Sequence, residues 1–233
     1  MRVAIIQSNY FPWKGYFDII HDADVFCFRD EVKYTKLDWR NRNKIYAREG
    51  LRWLTIPINK DAVNQKINEV RFTDNSWMKE HYNILSSTYR KAPYFRQLDS
   101  MLNDFYFIKN WDTLSEFNQY SIKEISKSLG ITAQFVDSKN FDLQGDKVER
   151  LINLLVALEA TEYISGPAAK DYLSGKEHLF EEKGIILTYK DYTGYPEYQQ
   201  LFTPFEHGVS ILDMIANIDL REIPYYIWGW RKL

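Results

Sequence analysis

Cysteine is almost absent from this sequence of 233 residues. The single Cys27 excludes a disulfide within the chain and a zinc site built from several cysteines. It lies in the centre of an apolar run, which favours a buried and unreactive thiol. The four histidines are scattered and show none of the close spacings that mark a metal site. We therefore expect no metal and no bound cofactor.

An excess of charge of one sign is absent as well. The chain has 30 basic and 32 acidic residues, so its net charge of −2 gives no overall field that would hold nucleic acid. No apolar run approaches the roughly 20 residues that a membrane-spanning helix requires. The first residues, MRVAIIQS, lack the cationic segment and long apolar run of a secretory signal. These observations predict a cytoplasmic protein with no membrane span and no nucleic-acid partner.

Aromatic residues, by contrast, are abundant. They make up 16% of the chain, with seven tryptophans and seventeen tyrosines, which is more than a small core needs. Tyrosine and tryptophan combine an apolar face with a polar group, so some of these rings are expected to line a ligand pocket.

Strand and helix patterns alternate along the chain. Short apolar runs predict strands at Val3 to Gln7, Val25 to Phe28, Thr132 to Val136, Tyr163 to Ser165 and Ile185 to Tyr189. Helical patterns lie between them, at Gly15 to His21, from Ser76 to about Arg90, from Asp112 to about Leu129, at Lys147 to Leu158 and near His178 to Lys183, with Tyr94 to Phe107 as a further helical segment.

This alternation predicts an α/β fold, a mainly parallel Rossmann-like sheet flanked by helices. Residues 1–233 are expected to form one domain, with residues 76–129 as a helical insertion. Asn43 to Tyr46 and Arg52 to Ile58 alternate well enough to form a hairpin, and Lys66 to Phe72 is expected to add a strand.

The segment QSNYFPWKGY, which follows the first strand, has the composition of a ligand loop. In open α/β sheets, ligands bind beyond the carboxyl ends of the strands, and Gln7 begins the polar residues at this end. Gly15 would let the backbone approach a ligand or a neighbour, and Tyr10, Trp13 or Tyr16 would offer a stacking face. The alternative is that the aromatic rings simply cover the edge of the sheet.

Five segments together resemble the WbqC-like family of bacterial proteins: VAIIQSNYFPWKGYFDII, DADVFCFRDEVKYTKLDWRNRNKI, WLTIPI, YISG and YQQLFTPFEHGVSILDMI. The resemblance implies a role in surface-polysaccharide (O-antigen) biosynthesis, and for some relatives the transfer of an aminoacyl unit such as glycyl to a nucleotide-linked amino sugar. It also marks site residues here: Gln7, Pro12, Gly15, Tyr16, Asp30, Lys36, Trp39, Asn41, Arg42 and Asn43. We add Tyr10 as a binding residue for its stacking face. In FRDEVKY the chain departs from the family pattern, so ligand contacts at Arg29 and Lys33 are expected to differ.

The pentad RNRNK, from Arg40 to Lys44, offers two arginines suited to phosphate or carboxylate and two amides suited to sugar or base edges. In an extended strand the arginines would face one way and the asparagines the other. The site interpretation has Arg42 bind an anion. The structural interpretation pairs Arg42 with Asp30 or Asp38 and the asparagines with backbone.

Acylation of an amine requires a base, and His81 or His207 could serve. A lone helical histidine is, however, more often a hydrogen-bonded structural residue. Three functions stay open at this point. The chain is an acyl or aminoacyl transferase acting on a nucleotide sugar, with an acyl-carrier protein as a possible donor, or a non-catalytic nucleotide-sugar-binding accessory protein, or an adenylating enzyme similar to nucleotidyltransferases.

Overall fold

The computed structural model describes residues 1–232. Seven strands are found there: β1 (Arg2–Ile6), β2 (Val25–Phe28), β3 (Arg42–Ala47), β4 (Gly50–Thr55), β5 (Gln134–Asp137), β6 (Glu162–Ser165) and β7 (Ile186–Tyr189). Five of them form a parallel sheet in the order β5-β2-β1-β6-β7, and β3 and β4 form a separate antiparallel pair.

The α-helices of the described chain are α1 (Lys14–Asp22), α2 (Ser76–Tyr89), α3 (Phe95–Asn103), α4 (Leu114–Ser128), α5 (Lys147–Ala157), α6 (Lys170–Leu173), α7 (Glu177–Glu181), α8 (Ile211–Asn217) and α9 (Ile223–Ile227). A π-helical turn, Asp104–Ile108, continues α3, and short 3₁₀ turns lie at Lys60–Asn64, Ile67–Glu69, Ser138–Asn140, Pro167–Ala169 and Gly229–Lys232.

The predicted Rossmann-like sheet is confirmed, and the predicted hairpin is present as β3 and β4. The predicted strand at Lys66 to Phe72 is wrong. Its residues make only isolated bridges, since Lys66 pairs with Lys33, Arg71 with Thr113 and Phe72 with Ile58. Because each residue finds a different partner, no continuous ladder can form.

The two faces of the sheet are covered by different helices. Alternate residues of β1 and β2 point to opposite faces, so Ala4 and Phe26 pack against α1 and α4, whereas Val3 and Cys27 pack against α5 and α7. The chain moves outward from β1 to β2 and β5, then returns to β6 and β7 on the other side. The sheet therefore has a topological switch point at the carboxyl ends of β1 and β6.

Many of the aromatic residues form a buried cluster rather than a pocket, here called the aromatic cluster. Tyr10, Phe11, Trp77, Tyr106 and Phe117 are each at most 3% exposed, and their ring centroids lie 4.6 to 6.2 Å apart. Full burial of a side chain of this size stabilises a fold by about 1.5 to 3 kcal/mol. The cluster joins the segment after β1 to α2 and α4.

None of the helices in residues 1–232 combines the length and the apolar character needed to cross a lipid bilayer.

Candidate functional site

The segment after β1, residues 7–13, is here called the first loop. It is tied down by backbone and side-chain hydrogen bonds. The backbone N–H of Ser8 donates to Asp30 Oδ1 at 2.8 Å, and that of Tyr10 donates to the carbonyl of Trp39 at 3.0 Å. Asp30 is fully buried, and burial raises the pKa of its carboxyl above the usual value. Its role in the structure is to anchor the loop.

Phe11 lies in the left-handed region with φ 38°, which is uncommon for a residue with a side chain. Two contacts hold it there. The ring is 1% exposed within the aromatic cluster, and the amide of Asn43 donates to the carbonyls of Tyr10 and Phe11 at 3.1 and 2.8 Å. The first loop is therefore held by a buried ring and by hydrogen bonds from Asn43 to its backbone.

His81 lies behind the first loop. Its Nδ1 is 2.7 Å from the hydroxyl of Tyr10, which is itself 2.6 Å from the hydroxyl of Tyr106. Burial lowers the pKa of His81 to about 4, so the ring is neutral at pH 7. At 4% exposure, His81 is out of reach of a ligand in the open pocket described next.

A cavity of about 200 Å³ opens on the outer side of the first loop, here called the loop pocket. Its lining residues are Asn9, Pro12, Trp13, Trp39, Asn43 and Gly208. The last of these comes from the segment before α8, which is held against the first loop because the N–H of Ile211 donates to the carbonyl of Pro12 at 2.9 Å.

Arg40 lies beside the loop pocket. Its guanidinium donates to Asn9 Oδ1 and to Gln7 Oε1, the latter at 3.2 Å, and pairs with Asp38 at 3.5 Å. Arg40 thus occupies the oxygen of the Asn9 amide. Asn9 lines the loop pocket, and its amide nitrogen Nδ2 remains available as a hydrogen-bond donor.

Lys14 and His207 form a pair, and each is the sequence neighbour of a residue that lines the loop pocket, Trp13 and Gly208 respectively. Lys14 Nζ lies 3.0 Å from His207 Nδ1. The lysine is 3% exposed, with Nζ 4.9 to 5.7 Å from the ring centroids of Tyr195, Tyr198 and Phe205. Burial lowers the pKa of Lys14 to about 8, and burial together with the Lys14 charge lowers the pKa of His207. His207 as a residue is exposed, and it precedes Gly208 in the sequence.

A larger cavity of about 450 Å³ lies beside the β3–β4 hairpin and is here called the hairpin pocket. Lys36, Asn41, Arg42 and Lys60 contribute to its wall. The Arg42 guanidinium lies 4.1 Å from the ring centroid of Trp53 and donates to the carbonyl of Leu37 at 2.7 Å. The cavity thus has a cationic wall.

The structure divides the sequence-predicted site residues into three groups. Pro12, Trp39 and Asn43 line the loop pocket. His207 precedes the lining residue Gly208, and Gln7 accepts from Arg40. The hairpin pocket receives Lys36, Asn41 and Arg42. The interior holds Tyr10, Tyr16, Asp30 and His81.

Within these groups, Tyr16 donates its hydroxyl to the carbonyl of Gln7 at 2.9 Å. Asn41 bonds to Tyr34 and to the carbonyl of Ile56, at 2.8 and 2.9 Å. Gly15 is needed for space, because a Cβ there would lie 2.3 Å from the ring of Trp13. The predicted catalytic and binding roles of all these residues stay predictions.

Comparison of the sequence with known proteins identifies the family of this chain. The model of the WbqC-like protein family matches residues 7–225, which include both pockets. The chain belongs to the WbqC-like protein family. This WbqC-like chain is also similar to "Uncharacterized protein Rv1507c" of Mycobacterium tuberculosis (strain ATCC 25618 / H37Rv), at 41% identity over 227 residues and 97% of each chain. No solved structure matches it significantly.

Two residues of this WbqC-like chain were not predicted as site residues, Lys14 and Arg40. Lys14 is the first residue of α1, and the helical spacing of KGYFDIIHD places it on the polar side with Asp18, His21 and Asp22. Lys14 and Asp18 are nevertheless buried. A polar helical side normally faces solvent, so the sequence contains no signal for the burial of Lys14.

One group of acidic and histidine residues in the described chain could hold a cation: Asp18, His21 and Asp22. The ammonium of Lys190 lies 2.7 Å from Asp18 and also bonds to Asp22, and Arg231 lies 2.9 Å from Asp18. These two side chains already supply the positive charge, so the group is an internal ion-pair network.

Proposed function

We propose that this WbqC-like chain is a transferase of surface-polysaccharide (O-antigen) biosynthesis that transfers an aminoacyl unit, such as glycyl, to the amino group of a nucleotide-linked sugar. Family membership supports the pathway. The observation that carries the reaction type is the Lys14–His207 pair, whose sequence neighbours Trp13 and Gly208 line the loop pocket, since acylation of an amine needs a group that takes up a proton.

In the proposed reaction the sugar amine attacks the carbonyl carbon of an activated acyl donor, such as a thioester on an acyl-carrier protein. A C–N bond forms, the bond from the carbonyl to the donor breaks, and the thiolate leaves. When Lys14 is neutral, His207 donates its Nδ1 hydrogen to Nζ, which leaves the Nε2 lone pair free. Nε2 takes the amine proton, and the Nδ1 proton passes to Lys14.

The tetrahedral intermediate of this reaction carries a negative oxygen, which hydrogen-bond donors must stabilise. Asn9 is the proposed donor. Its amide is oriented by Arg40, which binds the amide oxygen and carries a positive charge close behind it. Arg40 is in turn held by Gln7 and Asp38. These contacts orient the Asn9 amide before substrate binds.

The loop pocket, at about 200 Å³, has room for the reacting end of the substrate and not for a whole nucleotide sugar. The remainder is proposed to extend over Trp39 and Trp53, whose ring centroids lie 5.4 Å apart, toward Arg42. The rings would stack on the sugar or base, and Lys36 and Arg42 of the hairpin pocket would bind the phosphates.

The test is to mix the protein with nucleotide-linked amino sugars and a glycyl thioester, and to measure binding by calorimetry and product by mass spectrometry. His207→Gln should bind the nucleotide sugar normally and form product much more slowly than the wild type. Arg42→Gln should bind about tenfold more weakly, because a charged hydrogen bond is worth about 1.5 to 3 kcal/mol. The matched control is Arg48→Gln, at the exposed hairpin turn, which should behave as the wild type.

If the wild type binds nucleotide sugars but forms no product with a thioester or with any other activated acyl donor, the chain is an accessory binding protein and the transferase proposal is wrong. Product formation by His207→Gln at the wild-type rate would overturn the proposed base.

A further inference from the structure

A cavity of about 550 Å³, separate from the loop pocket and the hairpin pocket, lies beyond the carboxyl end of β2. It is lined by five cationic side chains, those of Arg29, Lys33, Lys66, Lys147 and Arg150, and is here called the basic pocket. These residues come from three segments far apart in sequence: the end of β2, the turn before residue 67, and α5. Among residues 1–232, the carboxylates in its wall are those of Glu31 and Glu69, so the five cations leave the wall with a net positive charge.

The ion pairs in the wall of the basic pocket are incomplete. Glu31 Oε1 lies 3.6 Å from Arg29 Nε and 3.9 Å from Arg150 Nη2, both beyond hydrogen-bond distance. Three atoms of these side chains are buried and have no hydrogen-bond partner among residues 1–232: Glu31 Oε1, Arg29 Nε and Arg150 Nε. Arg29 is 7% exposed. Buried polar groups that lack partners are costly, and a bound anion would supply hydrogen-bond acceptors to the two arginines, although not to Glu31.

Two lysines in the same wall belong to backbone segments that pair with each other. Lys33 and Lys66 are partners in an isolated antiparallel bridge, and both side chains are exposed. Like charges directly opposite one another on paired strands are destabilising. Their position on the rim of a cavity that already holds two arginines is explained if both bind the same anion.

We propose that the basic pocket is a binding site for a phosphate or diphosphate group carried by a small organic phosphate. The planar guanidinium groups of Arg29 and Arg150 suit bidentate contact with phosphate oxygens, and Lys33 and Lys66 add charge at the rim.

The rest of the wall indicates what carries the phosphate. Asn64, Gln65 and Glu69 offer amide and carboxylate groups, which bind hydroxyls. Within the described chain, no aromatic ring lines the basic pocket for a base to stack on. A phosphorylated sugar or polyol fits this wall better than a nucleotide. This inference goes beyond the proposed transfer reaction and does not require it.

The test is calorimetric titration of the full-length protein with inorganic phosphate, pyrophosphate and glucose 1-phosphate. The double variant Lys33→Gln, Arg150→Gln should lower the affinity for pyrophosphate at least tenfold. The matched control is Arg48→Gln, Lys139→Gln, which removes the same charge from exposed positions outside the basic pocket and should leave the affinity unchanged. Thermal unfolding of both double variants checks that each is folded.

Two results would overturn the proposal. One is that none of the three probes binds to the wild type. The other is that both double variants lose affinity equally, because the attraction would then reflect the overall charge of the surface. If glucose 1-phosphate binds more weakly than inorganic phosphate, the proposed binding of hydroxyls by the wall is wrong. Arg42→Gln, which removes the phosphate contact of the transferase proposal and lies outside the basic pocket, should leave pyrophosphate binding in the basic pocket unchanged, so failure of one proposal can be distinguished from failure of the other.

Discussion

The first loop has two sides, and a histidine lies against each of them. On the inner side, His81 is 4% exposed and bonds to the hydroxyl of Tyr10 within the aromatic cluster. On the outer side, His207 is exposed, precedes the pocket-lining Gly208 and bonds to Lys14. One histidine is therefore buried in the aromatic core, and the other is exposed and has an ionisable partner.

This difference shows how environment separates two candidates that look alike in sequence. Burial lowers the pKa of His81 to about 4, so it stays neutral at pH 7 and acts as a hydrogen-bonding part of the core. His207 keeps one nitrogen on Lys14 and is exposed. We therefore assign the base of the proposed transfer to His207, and the catalytic role predicted for His81 stays a prediction.

The largest effect is expected at His207. His207→Gln should lower kcat for the proposed transfer by roughly 10² to 10⁴, the usual contribution of a general base, with nucleotide-sugar affinity unchanged. His178→Gln, at an exposed position on α7, is the matched control and should keep wild-type turnover. Equal losses in both variants would show that the outer histidine has no special part in the reaction.

The inner side is tested by Tyr10→Phe. Removal of this hydroxyl leaves His81 Nδ1 and the Tyr106 hydroxyl without their buried partner, so the free energy of unfolding should fall by about 1 to 3 kcal/mol. Urea denaturation measures the change. Tyr225→Phe, at a tyrosine that is 45% exposed, is the control and should change stability by less than about 0.5 kcal/mol. A similar small change at Tyr10 would mean that the inner network contributes little.

Low pH should reduce the free energy of unfolding, because His81 becomes protonated in the unfolded chain before it does so in the folded protein. Its pKa is about 4 in the folded protein and 6.5 ordinarily, so the unfolded chain binds more protons between these values. The stabilisation is complete above pH 6.5 and is lost as pH falls toward 4, by about 1 to 2 kcal/mol at pH 5. Urea denaturation across this range should show a shallower pH dependence in His81→Gln than in the wild type. Identical slopes would contradict the assigned burial.

The smallest effect is expected from Lys14→Met, and it has the opposite sign. Lys14 has a pKa of about 8 against an ordinary 10.5, so burial of its charge costs stability below pH 8, and this cost disappears as pH rises from 8 to 10.5. Lys14→Met should therefore raise the free energy of unfolding at pH 7 by about 1 kcal/mol, with less gain near pH 10. It should also lower turnover. A loss of stability at pH 7 would show that the cation contacts with the surrounding rings outweigh the burial cost.

Much of the fold could be predicted because strand and helix patterns are local. Apolar runs such as Val25 to Phe28 gave the parallel strands, and the pattern near Lys147 gave α5. The strand predicted at Lys66 to Phe72 is wrong because a strand depends on its partner, and each residue there pairs with a different segment. Pairing over long sequence distances is not contained in a local pattern.

The site was harder to predict for a related reason. The pentad from Arg40 to Lys44 was found, but whether Arg40 or Arg42 faces the first loop depends on where the hairpin docks. Arg40 binds Gln7 and Asn9, whereas Arg42 packs on Trp53 in the hairpin pocket. The Lys14–His207 contact joins residues 193 positions apart, so no spacing rule could have paired them.

The central claim is that Lys14 controls the protonation of His207, and nitrogen NMR of the histidine rings tests it most directly. The His207 signals are assigned by their loss in His207→Gln. Below pH 8 the Lys14 ammonium donates to Nδ1, so the hydrogen of the neutral ring lies on Nε2. Above pH 8, neutral Lys14 accepts from Nδ1 and the hydrogen moves to that nitrogen. We predict this tautomer change with a midpoint near pH 8 in the wild type and its absence in Lys14→Met. One unchanging tautomer from pH 7 to pH 10, or the same change in Lys14→Met, would contradict the account.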